Sequence, residues 1–328
     1  MNNINLIILL DPDTYIYIVW GVLLLLTTFL GLSWFFTKRR KLMYGLLAVI
    51  LLVWGIFLYG SYIGVNQLEV KRVELAFDDL PVAFDGYKIV QFSDVHTATM
   101  RGWRHQLLER AIDSINVQQA DLVVFTGDMQ NKEPDEVFPD TALLATIKAK
   151  DGVYSVMGNH DYTMYLDNPT DYDEYTNTGL RMGIDYDLGW HLMVNQHYRI
   201  RRGKQNIVIA GMDMDGDGIR FPQQGDISMT LNGVRRSDFV VMLEHDPSSW
   251  KRKILPHSHC QLTLSGHTHG GQFSLFGWSM ANLRYKENSG LYNIGDRYLY
   301  VSNGLSGVVP FRFGASPEIT VITLHKKK

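Results

Sequence analysis

Two stretches without a single acidic, basic or histidine side chain dominate the first 65 residues: Tyr15–Phe36 and Leu42–Val65. At ~1.5 Å per residue, each is long enough to cross roughly 30 Å of hydrocarbon as a helix. A core helix of that length would carry a polar stripe, and neither stretch does. A signal peptide would open on basic residues. Here no Lys or Arg precedes Lys38, and the chain opens with Asn2, Asn3, Asp11 and Asp13. Residues 1–65 are therefore expected to be a membrane anchor, with transmembrane helices at about 15–36 and 42–65 in contact with membrane lipid. The turn between them reads Lys38-Arg39-Arg40-Lys41. Short basic loops stay in the cytoplasm, so the N-terminus and everything after Val65 are expected outside, against the weaker pull of Lys71 and Arg72. The expected location is the cell membrane, multi-pass, with the large C-terminal domain on the extracytoplasmic side. The short apolar run Ile4–Leu10 is expected at the membrane interface.

The remainder is ordinary in charge. The formal net charge of −3 over 328 residues gives no drive toward nucleic acid, and no nucleic-acid partner is expected. Cys260 is the only cysteine, which excludes an intrachain disulfide and a cysteine-rich zinc site. Any metal must be held by His, Asp, Asn or Glu. Residues 66–84 read as a linker with a lead-in strand, ending at Leu80-Pro81, and 85–328 as the main domain. There, short apolar or β-branched runs predict strands at Tyr87–Ser93, Asp121–Thr126, Val153–Met157, Asn206–Gly211, Phe239–Leu243 and Cys260–Leu264. Helical spacing marks Trp103–Val117 and Asp140–Ala149. Two further strands are expected at Arg297–Ser302 and Glu318–His325. Strands alternating with helices indicate an α/β domain with a mixed sheet. Residues 162–190, rich in Tyr, Asp and Asn without clear periodicity, read as an insertion that begins near the site and forms a lid or a wall.

Five polar clusters follow the predicted strands: Asp94-Val95-His96, Gly127-Asp128, Gly158-Asn159-His160-Asp161, His245, and Gly266-His267-Thr268-His269-Gly270-Gly271. Functional groups of open α/β sheets gather beyond the carboxyl ends of strands. In Asp-x-His and His-x-His at a strand end, positions i and i+2 point the same way. Carboxylates and neutral imidazoles together suit divalent ions. Two such ions need a bridging carboxylate and can activate a hydroxide between them.

The order Asp-x-His, Gly-Asp, Gly-Asn-His-Asp, His, Gly-His-x-His resembles the calcineurin-like metallophosphoesterase superfamily, over about residues 85–325. Gly266–Gln272 and Ser316-Pro317-Glu318-Ile319 are similar to its bacterial, membrane-anchored phosphodiesterase branch. The resemblance implies a four-layer αββα sandwich of two mixed sheets. It implies that Asp94, His96 and His269 hold one metal ion, that Asn159, His245 and His267 hold a second, and that Asp128 bridges them. Mn, Fe, Zn, Ni and Co all fit that ligand set. It further implies a catalytic His160 that protonates the leaving oxygen, tuned by a hydrogen bond to Asp161. The expected activity is hydrolysis of a phosphomonoester or phosphodiester by a two-metal-activated hydroxide, on a substrate that an anchor would allow to be lipid-linked. One alternative is a nucleotide-lipid pyrophosphatase similar to UDP-2,3-diacylglucosamine hydrolase, which would work on the cytoplasmic face. The other is a non-catalytic membrane adaptor, which should have lost ligands.

Three further signals carry less. Asp213-Met214-Asp215-Gly216-Asp217-Gly218 resembles the start of a calcium loop, but Gln224 stands where a bidentate Glu belongs. It reads better as an acidic turn at the rim, able to orient a metal-binding His. Arg312 is either a phosphate contact or a surface arginine. His257 and His259 read as exposed polar residues.

Overall fold

The computed structural model describes residues 11–162, 165–166, 170–218 and 221–328. The apolar run Ile4–Leu10 lies outside the described residues. Helix α1 (Pro12–Phe36) starts where Asp11 Oδ1 accepts from the Asp13 amide at 2.9 Å and proline takes the first position. Helix α2 (Arg40–Leu58) runs back alongside it and continues through a looser turn to Asn66. Only 11% of either apolar span is buried, so these are not core helices; both are long and apolar enough to cross a membrane. They meet through Trp20 and Trp54, edge to face at 5.0 Å, and through Trp54 Nε1–H donated to Thr27 Oγ1 at 3.1 Å.

The strands, in chain order, begin with β1 (Glu69–Phe77), β2 (Tyr87–Phe92), β3 (Leu122–Phe125), β4 (Val153–Ser155) and β5 (His191–Leu192). They continue with β6 (Gln196–Arg202), β7 (Gln205–Gly211), β8 (Phe239–Leu243), β9 (Leu262–Ser265) and the small pair β10 (Ser274–Leu275) and β11 (Trp278–Ser279). The last are β12 (Gly290–Ile294), β13 (Arg297–Val301) and β14 (Glu318–Lys326). Two six-stranded mixed sheets result, ordered β1-β14-β2-β3-β4-β5 and β12-β13-β9-β8-β7-β6. In the first, β14 runs antiparallel to β2 and the other pairs are parallel. The segment read as a linker thus contains β1, a strand of the first sheet.

Alternation of side chains decides the layering. Ile89, Leu122 and Val124 point toward Ile207, Ile209, Val241 and Leu264 and fill the space between the sheets. Val90, Phe92, Val123 and Phe125 point the other way, onto Leu108, Ile112 and Ile115 of helix α3 (His105–Val117). The outer face of the second sheet, with Val208, Val240 and Met242, is covered by Trp250, Ile254 and Ile227. Those residues lie on short helical segments, so the fourth layer is thin.

One expectation fails locally, and one segment carries a helix that its sequence does not announce. The helix over 140–149 is one turn, α4 (Thr141–Leu144). Thr146 Oγ1–H bonds back to the Leu143 carbonyl, and the Asn116 side chain captures the Thr146 carbonyl and the Lys148 amide. Conversely, the insertion contains a 17-residue helix, α5 (Asp171–Asp187), opened by a capping box between Thr170 and Asp173.

Candidate metal centre

All five clusters lie just past the carboxyl ends of parallel strands: β2, β3, β4, β8 and β9. The loops are stitched together by their backbones, with the Asp94 amide donating to the Gly127 carbonyl and the Gly266 amide to that of His245. The backbone there is unusual. Asp94, His96, Asp128, His267 and His269 all have positive φ, between 46° and 73°. Left-handed backbone costs energy in residues with a Cβ and persists where surroundings over-determine it. A Cβ on Gly158 would stand 2.2 Å from Asp128 Oδ1, and one on Gly266 2.4 Å from Asp94 Oδ2. Both glycines are required by close approach to the carboxylates.

The side chains converge as two groups that share Asp128: Asp94, His96, Asp128 and His269, and Asp128, His245 and His267. Asp128 Oδ2 lies 3.1 Å from His245 Nε2 and 3.7 Å from His96 Nε2, between the two groups. Asn159 Oδ1 joins the second group, 2.8 Å from His267 Nδ1. All the ligands expected from sequence are thus brought to this place.

The donor set fits divalent cations. Both ring nitrogens of His96 and Nδ1 of His269 are buried without a hydrogen-bond partner among the described residues. Such orphaned groups are rare unless something else satisfies them. Burial lowers His96 to about 3 and His267 to about 4, and holds His269 well below its ordinary value. These imidazoles are neutral at pH 7, the form that ligates metal. Burial pushes Asp94 up to about 7, with the Asp128 charge adding to it and His245 opposing. For His245, burial pulls downward but the Asp128 carboxylate prevails and raises it to about 10. A proton there occupies the position that a cation would take.

Outer contacts fix the rings. His245 Nδ1–H donates to the Thr126 carbonyl at 2.6 Å, which turns Nε2 toward Asp128. His267 Nε2 is held by the Tyr285 hydroxyl at 2.7 Å. Asp246 Oδ2 lies 3.8 Å from the same nitrogen. No sequence spacing marks Tyr285. Asp246 stands next to the marked ligand His245, and that adjacency is the signal that could have found it.

His160 and Asp161 do not form the pair expected. His160 Nδ1–H donates to the Asn131 carbonyl at 2.6 Å, and its ring stacks on Tyr165 at 4.1 Å. The Asp161 carboxylate accepts from the amides of Asp128, Met129 and Gly158 at 2.9 to 3.0 Å. It also accepts from Arg181 Nε at 2.9 Å. Asp161 therefore pins the loops that carry Asp128 and Asn159, and its oxygens are occupied away from His160. Arg181, fully buried on α5, also pairs with Asp185, whose other oxygen accepts from Ser155 Oγ–H at 2.6 Å.

The weaker signals resolve in other ways. Arg312 is buried and gives its N–H groups to the carbonyls of His269, Ala315 and Ser306, so it is not a surface arginine. In the acidic turn, Asp213 accepts from the Tyr162 hydroxyl, and Asp215 is paired with Arg252 and Lys253. The acid beside a metal-site histidine is Asp246 instead. His259 is partly buried, with Nε2 3.1 Å from the Asp238 carbonyl.

The family model described as calcineurin-like phosphoesterase matches residues 87–271. An uncharacterized metallophosphoesterase of Bacillus subtilis (strain 168), YkuE, is 32% identical over 306 residues, 88% of this chain and 97% of that protein. A transmembrane protein with metallophosphoesterase domain from Danio rerio is 29% identical over 276 residues, 82% of this chain, which spans only 60% of that relative's length. Among solved structures, TT1561 of Thermus thermophilus is 12% identical, with a TM-score of 0.43, covering 67% of this chain and 91% of its own. With more than half of its length inside the family model and the Bacillus relative aligned almost end to end, the chain belongs to the calcineurin-like phosphoesterase family, as a metallophosphoesterase acting on phosphoric ester bonds.

Proposed function

We propose that this protein is a membrane-anchored hydrolase that cleaves a phosphomonoester or phosphodiester at a two-metal centre on the extracytoplasmic side of the cell membrane. The observation that carries the reading is Asp128, shared by two groups of buried donors. Asp94, His96 and His269 would hold one ion, Asn159, His245 and His267 the other, with Asp128 common to both. Two divalent cations bound there supply Lewis acidity, which makes water nucleophilic at neutral pH and offsets charge building on the phosphoryl oxygens. His160, anchored through Nδ1, keeps Nε2 as the atom to give a proton to the leaving oxygen. Tyr165 holds that ring by stacking, and Tyr285 keeps His267 in one orientation.

The anchor is supported by α1 and α2. Asp13, at the start of α1, pairs with Arg104 of the main domain at 2.8 Å. Gly60 and Gly64, after α2, pack on Phe311 and Arg312. The domain thus sits at the end of the hairpin opposite Lys38–Lys41, and the basic turn favours the cytoplasm. A second reading, a lipid-linked pyrophosphatase, draws on the same anchor but requires the opposite sidedness. The test is metal analysis of the detergent-solubilised full chain, with cleavage of 4-nitrophenyl phosphate and bis(4-nitrophenyl) phosphate, with Mn²⁺ and after chelation. Two metals per chain and chelator-sensitive cleavage support the reading. A metal-free, inactive protein sinks it. Protease accessibility of the domain in sealed spheroplasts decides sidedness.

A further inference from the structure

The loop that leaves the metal centre after His269 returns to it at Tyr285, and between them it makes an uncharged arm. No Asp, Glu, Lys, Arg or His occurs from Phe273 to Leu283. The arm starts with the hairpin β10–β11, in which Leu275 pairs with Trp278. The two residues at the tip, Phe276 and Gly277, have φ of 52° and 80°. A two-residue turn with both φ positive favours Asn-Gly or Asp-Gly, because left-handed backbone is costly for a bulky residue. Here it carries a phenylalanine that is 100% exposed. Leu275, Trp278, Met280 and Leu283 are exposed beside it. Large apolar side chains exposed together on one short arm mark a site of interaction.

Its neighbour indicates the partner. A cleft of about 460 Å³ is lined by the tip on one side and by Tyr59 and Phe313 on the other. Tyr59 directly follows α2 and precedes Val65, the end of the uncharged stretch, by about 9 Å of helix at ~1.5 Å per residue. The tip is therefore level with the last turns of the apolar span, not beyond them. At the same end, Tyr62 stacks on Trp103 at 5.9 Å, and both rings are partly exposed. Aromatic residues gather where a membrane meets water. We infer that the 274–283 arm inserts into the interfacial layer of the same bilayer that α1 and α2 cross, and holds the metal centre against the headgroups. The partner is the lipid surface itself. This rests on the membrane-anchored reading above.

The test uses the full chain in phosphatidylcholine–phosphatidylglycerol nanodiscs, with single nitroxide labels at Phe276→Cys, Leu25→Cys and Tyr186→Cys. Cys260 is buried, and unsubstituted protein gives the background. Oxygen partitions into lipid and a nickel chelate into water, so their collision rates report depth. Labels at 276 and 25 are expected to favour oxygen several-fold more than the label at 186 on α5. A label at 276 that behaves like 186, while 25 stays in lipid, overturns the arm and leaves the anchor intact. Water exposure at 25 overturns the anchor reading itself. Leu283→Cys repeats the measurement should Phe276→Cys misfold.

Discussion

At the scale of single residues, Asp128 and His160 separate binding from chemistry. Asp128→Asn removes the carboxylate between the two donor groups; turnover should vanish and metal content fall. His160→Ala should keep both metals and lose about 10²–10⁴ in rate, the usual worth of a general acid. Loss of metal in His160→Ala would make it a ligand. The charges also predict a pH effect. His245, raised to about 10, is protonated at neutral pH without metal, and Asp94, at about 7, is partly so. Ligation needs both deprotonated, so metal uptake releases protons and affinity falls as pH drops. Calorimetry in two buffers of different ionisation enthalpy should detect the release; identical heats would contradict it. Arg181→Ala strands the buried carboxylates of Asp161 and Asp185, and should destabilise the protein by about 3–5 kcal/mol in denaturant titration.

At the scale of elements, legibility follows chemistry. The candidate ligands can be read because each sits within a few residues of a strand made of buried apolar side chains. Helix α5 cannot, since its buried face includes Arg181 and Asp185 beside Ile184, and polar residues hide helical periodicity. The signal available is its start, Thr170 with Asp173 three positions later. Thr170→Ala should cost about 0.5–2 kcal/mol locally. Amide exchange should quicken in the first turns of α5 and not at Arg181, which the ion pairs hold. Adjacency in sequence ties Asp161 to His160, whereas the fold turns its carboxylate toward three backbone amides. Tyr285 and the Asn131 carbonyl reach the site from distant loops, and no local pattern announces such contacts.

At the scale of the whole molecule, the metals should act as a fastener between sheets. Asp94, His96, Asp128 and Asn159 come from the first sheet's loops, and His245, His267 and His269 from the second's. Ions at 100 times their dissociation constant would add about 2.7 kcal/mol to stability. Chelation should lower the melting temperature of wild type and move that of Asp128→Asn less.

Among the described residues the strand β1 has one neighbour, β14, in register from Glu69 opposite Glu318 to Phe77 opposite Lys326. During synthesis, then, β1 must wait, edge bare, until the 240 residues between Phe77 and Glu318 have been translated. Its hydrogen-bonding groups stay open to other chains throughout that interval. The run of Lys71, Arg72 and Glu74 along that waiting edge gives it the charge that discourages such pairing.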